Sequence, residues 1–185
     1  ATDTGTATIE DNDTDPTGGN SIVLNVDEAL ITDTDVNTTL EFTAGTADLT
    51  TFKFDTDLSG LTLDSNDGES GGAISWNRVS DTEIQGSTGG NLAITLTLSG
   101  TSTIAAAASG TVTVTAILSD NFKHLDVAGT NTVDLGSVDV IASTAQSVQA
   151  SGTVSVKVVD DIIEITSLAN ATHNNAANTS TTGTF

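Results

Sequence analysis

The chain has 185 residues, of which 25 are acidic and only 4 are lysine or arginine, a formal charge of −21. Such a surface repels phosphate backbones and anionic headgroups, which argues against nucleic acid and an anionic membrane as partners. The chain has no cysteine, so it can form neither a disulfide framework nor a thiolate metal site.

Hydrophobic residues make up 36% of the chain, a low share but enough for a thin β-sandwich core. Disulfides are usual in small secreted eukaryotic domains, so their absence points to a cytosolic protein or a bacterial surface protein. No apolar run approaches the roughly 20 residues that span a bilayer. No signal-peptide pattern opens the chain, and the start at Ala1 reads as that of a fragment.

Along the chain the hydrophobic period is two. Ile22, Leu24 and Val26 alternate with polar residues. Phe52 with Phe54, and Ile74 with Trp76, mark two shorter strands. Leu92, Ile94, Leu96 and Leu98 follow, then Val112, Val114, Ala116 and Leu118. Val133 and Leu135 change phase at Gly136, after which Val138 and Val140 take the inward positions; a β-bulge at the glycine explains the slip. Val154, Val156 and Val158 close the series.

Alternation of this kind predicts strands with one buried and one wet face. Threonine, a good strand former, fills many outward positions. Asn66-Asp67-Gly68 and Gly86 to Gly90 read as turns. The alanine-rich stretch Thr103 to Ser109 reads as a loop, because Ser and Gly border it closely. About ten short strands without a helix predict an all-β, Ig-like antiparallel β-sandwich.

The two ends of the chain resemble each other. Gly5-Thr6-Ala7-Thr8-Ile9, followed by acids, matches Gly152-Thr153-Val154-Ser155-Val156, whose run ends in Asp160-Asp161. Thr38-Thr39-Leu40-Glu41-Phe42 likewise matches Thr181-Thr182-Gly183-Thr184-Phe185. Two matches at nearly one spacing predict one module of a tandem array. On this reading residues 1–15 are the last strand of a preceding repeat and an acidic linker. Residues 16–161 form the sandwich, and 162–185 a linker with the first strands of the next repeat.

The acids are clustered. Glu10-Asp11-Asn12-Asp13-Thr14-Asp15, Asp27-Glu28, Asp33-Thr34-Asp35, Asp55-Thr56-Asp57, Asp64 to Glu69 and Asp160-Asp161 sit between strand-like runs. Oxygen-rich, lysine-poor knots suit a hard cation such as Ca²⁺, which takes six to eight oxygen ligands. Glu10, Asp11, Asp13 and Asp15 are therefore candidates for a linker calcium site shared with Asp27 or Glu28. Asp160 and Asp161, with Glu164 nearby, are the equivalent at the far junction. The competing reading is a set of solvated acidic turns that aid solubility.

Asp55, Asp57, Asp64, Asp67 and Glu69 are candidates for a site within the module, but Asp64 to Glu69 lacks EF-hand spacing, and a plain Asp/Asn-Gly turn is the better reading. Trp76 reads as a core residue. His124 and His173 have no partner at zinc spacing and read as surface polar groups. The chain lacks tyrosine, cysteine, a phosphate-binding glycine loop and a nucleophile elbow, and it is expected not to be an enzyme.

A family resemblance rests on several of these segments. Phe54-Asp55-Thr56-Asp57-Leu58-Ser59-Gly60-Leu61 precedes Asp67-Gly68 and Gly72-Ala73-Ile74-Ser75-Trp76. Ile94-Thr95-Leu96-Thr97-Leu98, Phe122-Lys123-His124-Leu125-Asp126 and Val156-Lys157-Val158-Val159-Asp160-Asp161 follow in order. With Val26-Asp27-Glu28-Ala29-Leu30 at the start, they resemble the Ig-like tandem repeats of giant bacterial adhesins exported by type I secretion. Those repeats often carry His-Pro where this chain has His124-Leu125.

The resemblance implies an extender: sandwiches joined end to end by Ca²⁺ at the linkers, with neighbouring repeats as partners, on an extracellular bacterial surface in adhesion or biofilm formation. Millimolar extracellular calcium would fill even weak sites. The alternative is a module that itself binds a glycan or host partner through bound Ca²⁺ near Trp76 or the Asp64 to Glu69 loop. An accessory sandwich of a secreted polysaccharide hydrolase is a third reading.

Overall fold

Period-two alternation of Val, Ile, Leu and Thr becomes nine strands in the computed structural model, which describes residues 13–28, 36–62, 74–119 and 132–159. They are β1 (Ile22–Asp27), β2 (Val36–Thr43), β3 (Leu49–Phe54), β4 (Ser75–Ser80), β5 (Glu83–Thr88), β6 (Asn91–Gly100), β7 (Ser109–Leu118), β8 (Thr132–Thr144) and β9 (Gln149–Val159). One sheet has the order β1-β9-β8-β3 and the other β2-β7-β6-β5-β4. The chain crosses between sheets after β1, β2, β3 and β7, as in an Ig-like sandwich.

The expectation of antiparallel pairing holds everywhere except at one contact. β1 pairs with β9 in parallel, with an unbroken register from Ile22↔Val154 to Asp27↔Val159. β9 itself follows β8 within the same sheet, as its antiparallel neighbour on the other side.

The core lies between the sheets. Leu24, Leu40, Phe42, Ile84, Ile94, Leu96, Val114, Leu135, Val140, Val154, Val156 and Val158 are all nearly inaccessible. Phe42 and Phe52, from opposite sheets, meet with tilted rings 6.0 Å apart. The outer face of the five-stranded sheet carries threonine: Thr39 stands opposite Thr113, and Thr97 opposite Thr115. Cross-strand threonine pairs of this kind stabilise a wet sheet face without apolar exposure.

Four local findings refine the sequence reading. The bulge at Gly136 is present: the β8–β9 register shifts between Asp134 and Ser137, and Gly136 has φ +81°. The alanine-rich stretch is a loop, pinned where Ile104 bridges Leu49. Leu92 is exposed rather than inward, because the β5–β6 register shifts beside it and Ala93 takes the buried position. Gly86 belongs to β5, not to a turn; the turn is at Gly89 and Gly90, both at positive φ.

Gly86 also explains Trp76. The indole packs against the core from β4, and a Cβ on Gly86 would lie 2.9 Å from its ring and 2.9 Å from Ile94 Cγ2. The missing side chain is thus the seat of the ring. Trp76 is partly buried rather than fully enclosed.

Gly136 combines a left-handed backbone with a close approach, since a Cβ there would overlap the Gly60 carbonyl oxygen. Gly136→Ala should therefore lower unfolding free energy in urea by about 2–3 kcal/mol, the upper range for an enforced backbone conformation. Gly90→Ala has a similar φ, +88°, but open space around it, and should cost only about 1 kcal/mol. Equal losses would mean that steric crowding at the bulge contributes nothing.

Candidate metal sites at the two poles

The sandwich has two ends, and among the described residues some of the acids stand at each. At the proximal pole the incoming chain lies across the end of β2. Thr17 and Thr43 exchange two backbone hydrogen bonds, 2.9 and 3.2 Å, and the Thr46 amide donates to the Thr14 carbonyl at 2.9 Å. The fit requires glycine at position 45, where a Cβ would overlap that same Thr14 carbonyl. Pro16 is buried beneath the segment, which leaves Asp13 and Asp15 exposed at its outer end. Asp48 is nearby in the chain and already engaged, accepting from the Ala106 amide at 2.8 Å.

At the distal pole β1 ends at Asp27, opposite Val159 at the end of β9. Asp27 is half-buried, and Glu28 is only 4% exposed. A carboxylate this buried is costly unless partnered, and Glu28 and Asp27 both have partners. The register of β1 with β9 ends at the Asp27–Val159 pair.

Asp13 and Asp15 therefore do not meet Asp27 and Glu28. The six residues of β1 alone separate them by about 20 Å at 3.3 Å per residue, whereas a calcium ligand must lie within about 2.6 Å of the ion. The structure instead sets Asp27 and Glu28 next to the chain that leads to Asp160 and Asp161. Glu10, Asp11, Asp160, Asp161 and Glu164 themselves lie outside the described residues, as do Asp64, Asp67, Glu69, His124 and His173. Among the described residues no group of three or more Asp, Glu, His or Cys could hold a metal ion.

Asp55 and Asp57 have a structural role. The Asp57 amide donates to Asp55 Oδ1 at 3.2 Å and the Ser59 amide to Asp57 Oδ1 at 2.9 Å, two successive side-chain-closed turns after β3. Asp and Ser close turns of this kind through their own side chains, whereas the Asp/Asn-Gly turn expected at Asp64 to Glu69 lies outside the described residues. The loop is docked onto the sheet by the Asp55 amide, which donates to the Asp139 carbonyl at 2.8 Å. Asp139 in turn accepts from Thr153 Oγ1 at 2.7 Å. Together with Ser59, Gly60, Ser137 and Val138 these acids line a polar cleft of about 260 Å³.

Sequence reasoning missed the Asp48 and Asp139 contacts. Each is one carboxylate bound to a residue distant in sequence, and neither leaves a local pattern. The burial of Glu28 was equally hidden, although its place one residue beyond an alternating strand was a usable signal.

Among the described residues the ion pairs of Arg78 and Lys157 do little to offset the charge. Arg78 meets Asp81 at 2.6 Å and Lys157 meets Asp134 at 3.5 Å, with substantial solvent access in each pair. Exposed pairs of this kind contribute little. Comparison with family models, with curated proteins and with solved structures finds no match.

The Ser59 side chain and amide both bond the Asp57 carboxylate and lower its pKa below 3.8. A depressed carboxyl stabilises the fold at pH above its unfolded value, and this contribution is lost as pH falls through the lower folded value. Ser59→Ala should move the Asp57 titration, followed by side-chain carboxyl NMR, upward toward 3.8. It should also flatten the acid limb of the stability curve. A titration unmoved by Ser59→Ala would remove Ser59 as the cause.

Proposed function

We propose that this chain is a non-catalytic extender module of a long, calcium-dependent bacterial surface adhesin. It would act outside the cell and have neighbouring repeats of the same chain as its partners. One observation carries the reading: the chain comes in at the proximal pole through Asp13 to Thr17 and leaves at the distal pole after Val159. Modules connected this way stack in line. Each adds at least the length of β9, whose eleven residues extend about 36 Å.

The division of the acids fits the same arrangement. In an array, Asp27, Glu28, Asp160 and Asp161 at the distal end of one module face the counterparts of Glu10, Asp11, Asp13 and Asp15 leading into the next. Two facing acidic ends repel each other, and a divalent ion held between them converts that repulsion into a fixed joint. Calcium suits the oxygen-only ligand set better than magnesium, which demands a near-ideal octahedron and gives up its waters reluctantly. Within each junction the carboxylates would supply the ligands, and the short connecting chain would hold them at the interface.

The glycan-binding alternative gains nothing from Trp76, whose ring is seated on Gly86 and packed on the core.

Thermal unfolding of the chain, with and without calcium, tests the reading. Calcium at a hundred times its dissociation constant should stabilise the fold by about 2.7 kcal/mol per site, and the same concentration of magnesium should have a much smaller effect. Replacing Asp160 and Asp161 with Asn should remove most of the calcium shift at the distal site and leave the calcium-free midpoint unchanged. A midpoint insensitive to calcium would overturn the calcium-jointed extender.

A further inference from the structure

The parallel pairing of β1 with β9 has a mechanical meaning. A module in an array receives tension through its two chain connections, one leading into β1 at the proximal pole and one leaving β9 at the distal pole. Tension therefore pulls β1 toward the proximal end and β9 toward the distal end. These two strands are directly hydrogen-bonded neighbours over six consecutive register pairs, with no bulge or shift. Their backbone bonds run across the strands and across the pull, so all of them are strained together.

Side chains reinforce the pair. Ile22, Leu24 and Val26 on β1 and Val154, Val156 and Val158 on β9 are buried in the same core layer. Sliding one strand past the other would drag two rows of aliphatic side chains through a close-packed interior.

We propose that the β1–β9 pair is a tension clamp that sets the force at which the module opens, with the remaining strands shielded behind it. The rest of the topology agrees. β2 to β8 lie in the chain between β1 and β9, so the covalent path from them to either pulling point passes through that pair. The bridge of Thr17 with Thr43 and the contact of Thr46 with Thr14 lie outside the clamp and would give way first, lengthening the chain slightly without opening the core.

The physiological relevance of the clamp rests on the extender reading, but its existence can be tested separately. The chain contains no cysteine, so an introduced pair defines the direction of pull. Single-molecule force measurements would compare handles at the two termini of the full chain with handles at Ser21→Cys and Ser151→Cys. Those two exposed positions lie at the proximal ends of the paired strands. Both are measured in one calcium-containing buffer, with matching thermal midpoints as the check on folding.

Pulling through the termini loads the ladder all at once, and pulling at the cysteine pair opens it bond by bond. At equal force, opening through the termini should be at least about a hundredfold slower, the equivalent of about 2.7 kcal/mol of barrier. Equal rates in the two directions would overturn the clamp. Loss of the calcium-dependent midpoint shift would instead sink the jointed array and leave the directional result standing.

Discussion

The aliphatic layer between the two sheets decides where everything else in this molecule can go. It is built almost entirely from Val, Leu, Ile and Ala, with two phenylalanines fully enclosed. Among the described residues only Glu28, Ser143 and Thr144 bring polar or charged side chains into the buried set. The surplus of negative charge is thus pushed to the poles and the outer faces. Among the described residues, Arg78–Asp81 and Lys157–Asp134 are solvent-accessible pairs that contribute little. A chain at −21 meets a self-repulsion that works against the compact state.

The layer also gives the module its direction. Because β1 and β9 are neighbours in one sheet and run in parallel, the chain traverses the long axis once in net terms. An even number of antiparallel passes would have returned it to the pole where it came in. The outer face of the five-stranded sheet carries threonines rather than an apolar patch, so the sides of the sandwich offer little reason to associate.

Most of the fold could be read from alternation alone. Rows such as Val112 to Leu118 and Val154 to Val158 announce both strand and inward face. Even the bulge at Gly136 was visible, as a change of phase on either side of one glycine. Reading failed where two strands had to be known together. Leu92 looked inward from its own strand, but the register with β5 shifts beside it and turns it outward. Gly86 looked like a turn until its neighbour across the ladder proved to be Trp76. The parallel sense of β1 was invisible for the same reason, since alternation gives a strand its faces but not its partner or its direction.

The candidate sites were legible to a lesser degree. Clustered acids stood out in composition, Asp55 and Asp57 among them, though not the turns that those two close. Spacing could not reveal that Asp15 and Asp27, twelve positions apart in the sequence, sit at opposite ends of the sandwich. That separation follows from one uninterrupted strand lying between them. Nor could it reveal that Asp139 anchors the Asp55 turn and bonds Thr153, contacts that cross between strands.

The same first-to-last pairing has a kinetic side. Ile22 and Val154 are 132 positions apart, so closing β1 onto β9 demands nearly the whole length of the module. Contacts so distant in sequence form late and slowly, because the entropy of closing the loop is lost before the ladder returns anything. The β1 edge of the sheet stays open until both ends of the sandwich are free to meet. An open strand edge invites pairing with another copy, and a strongly charged, mutually repelling chain is a safeguard against it.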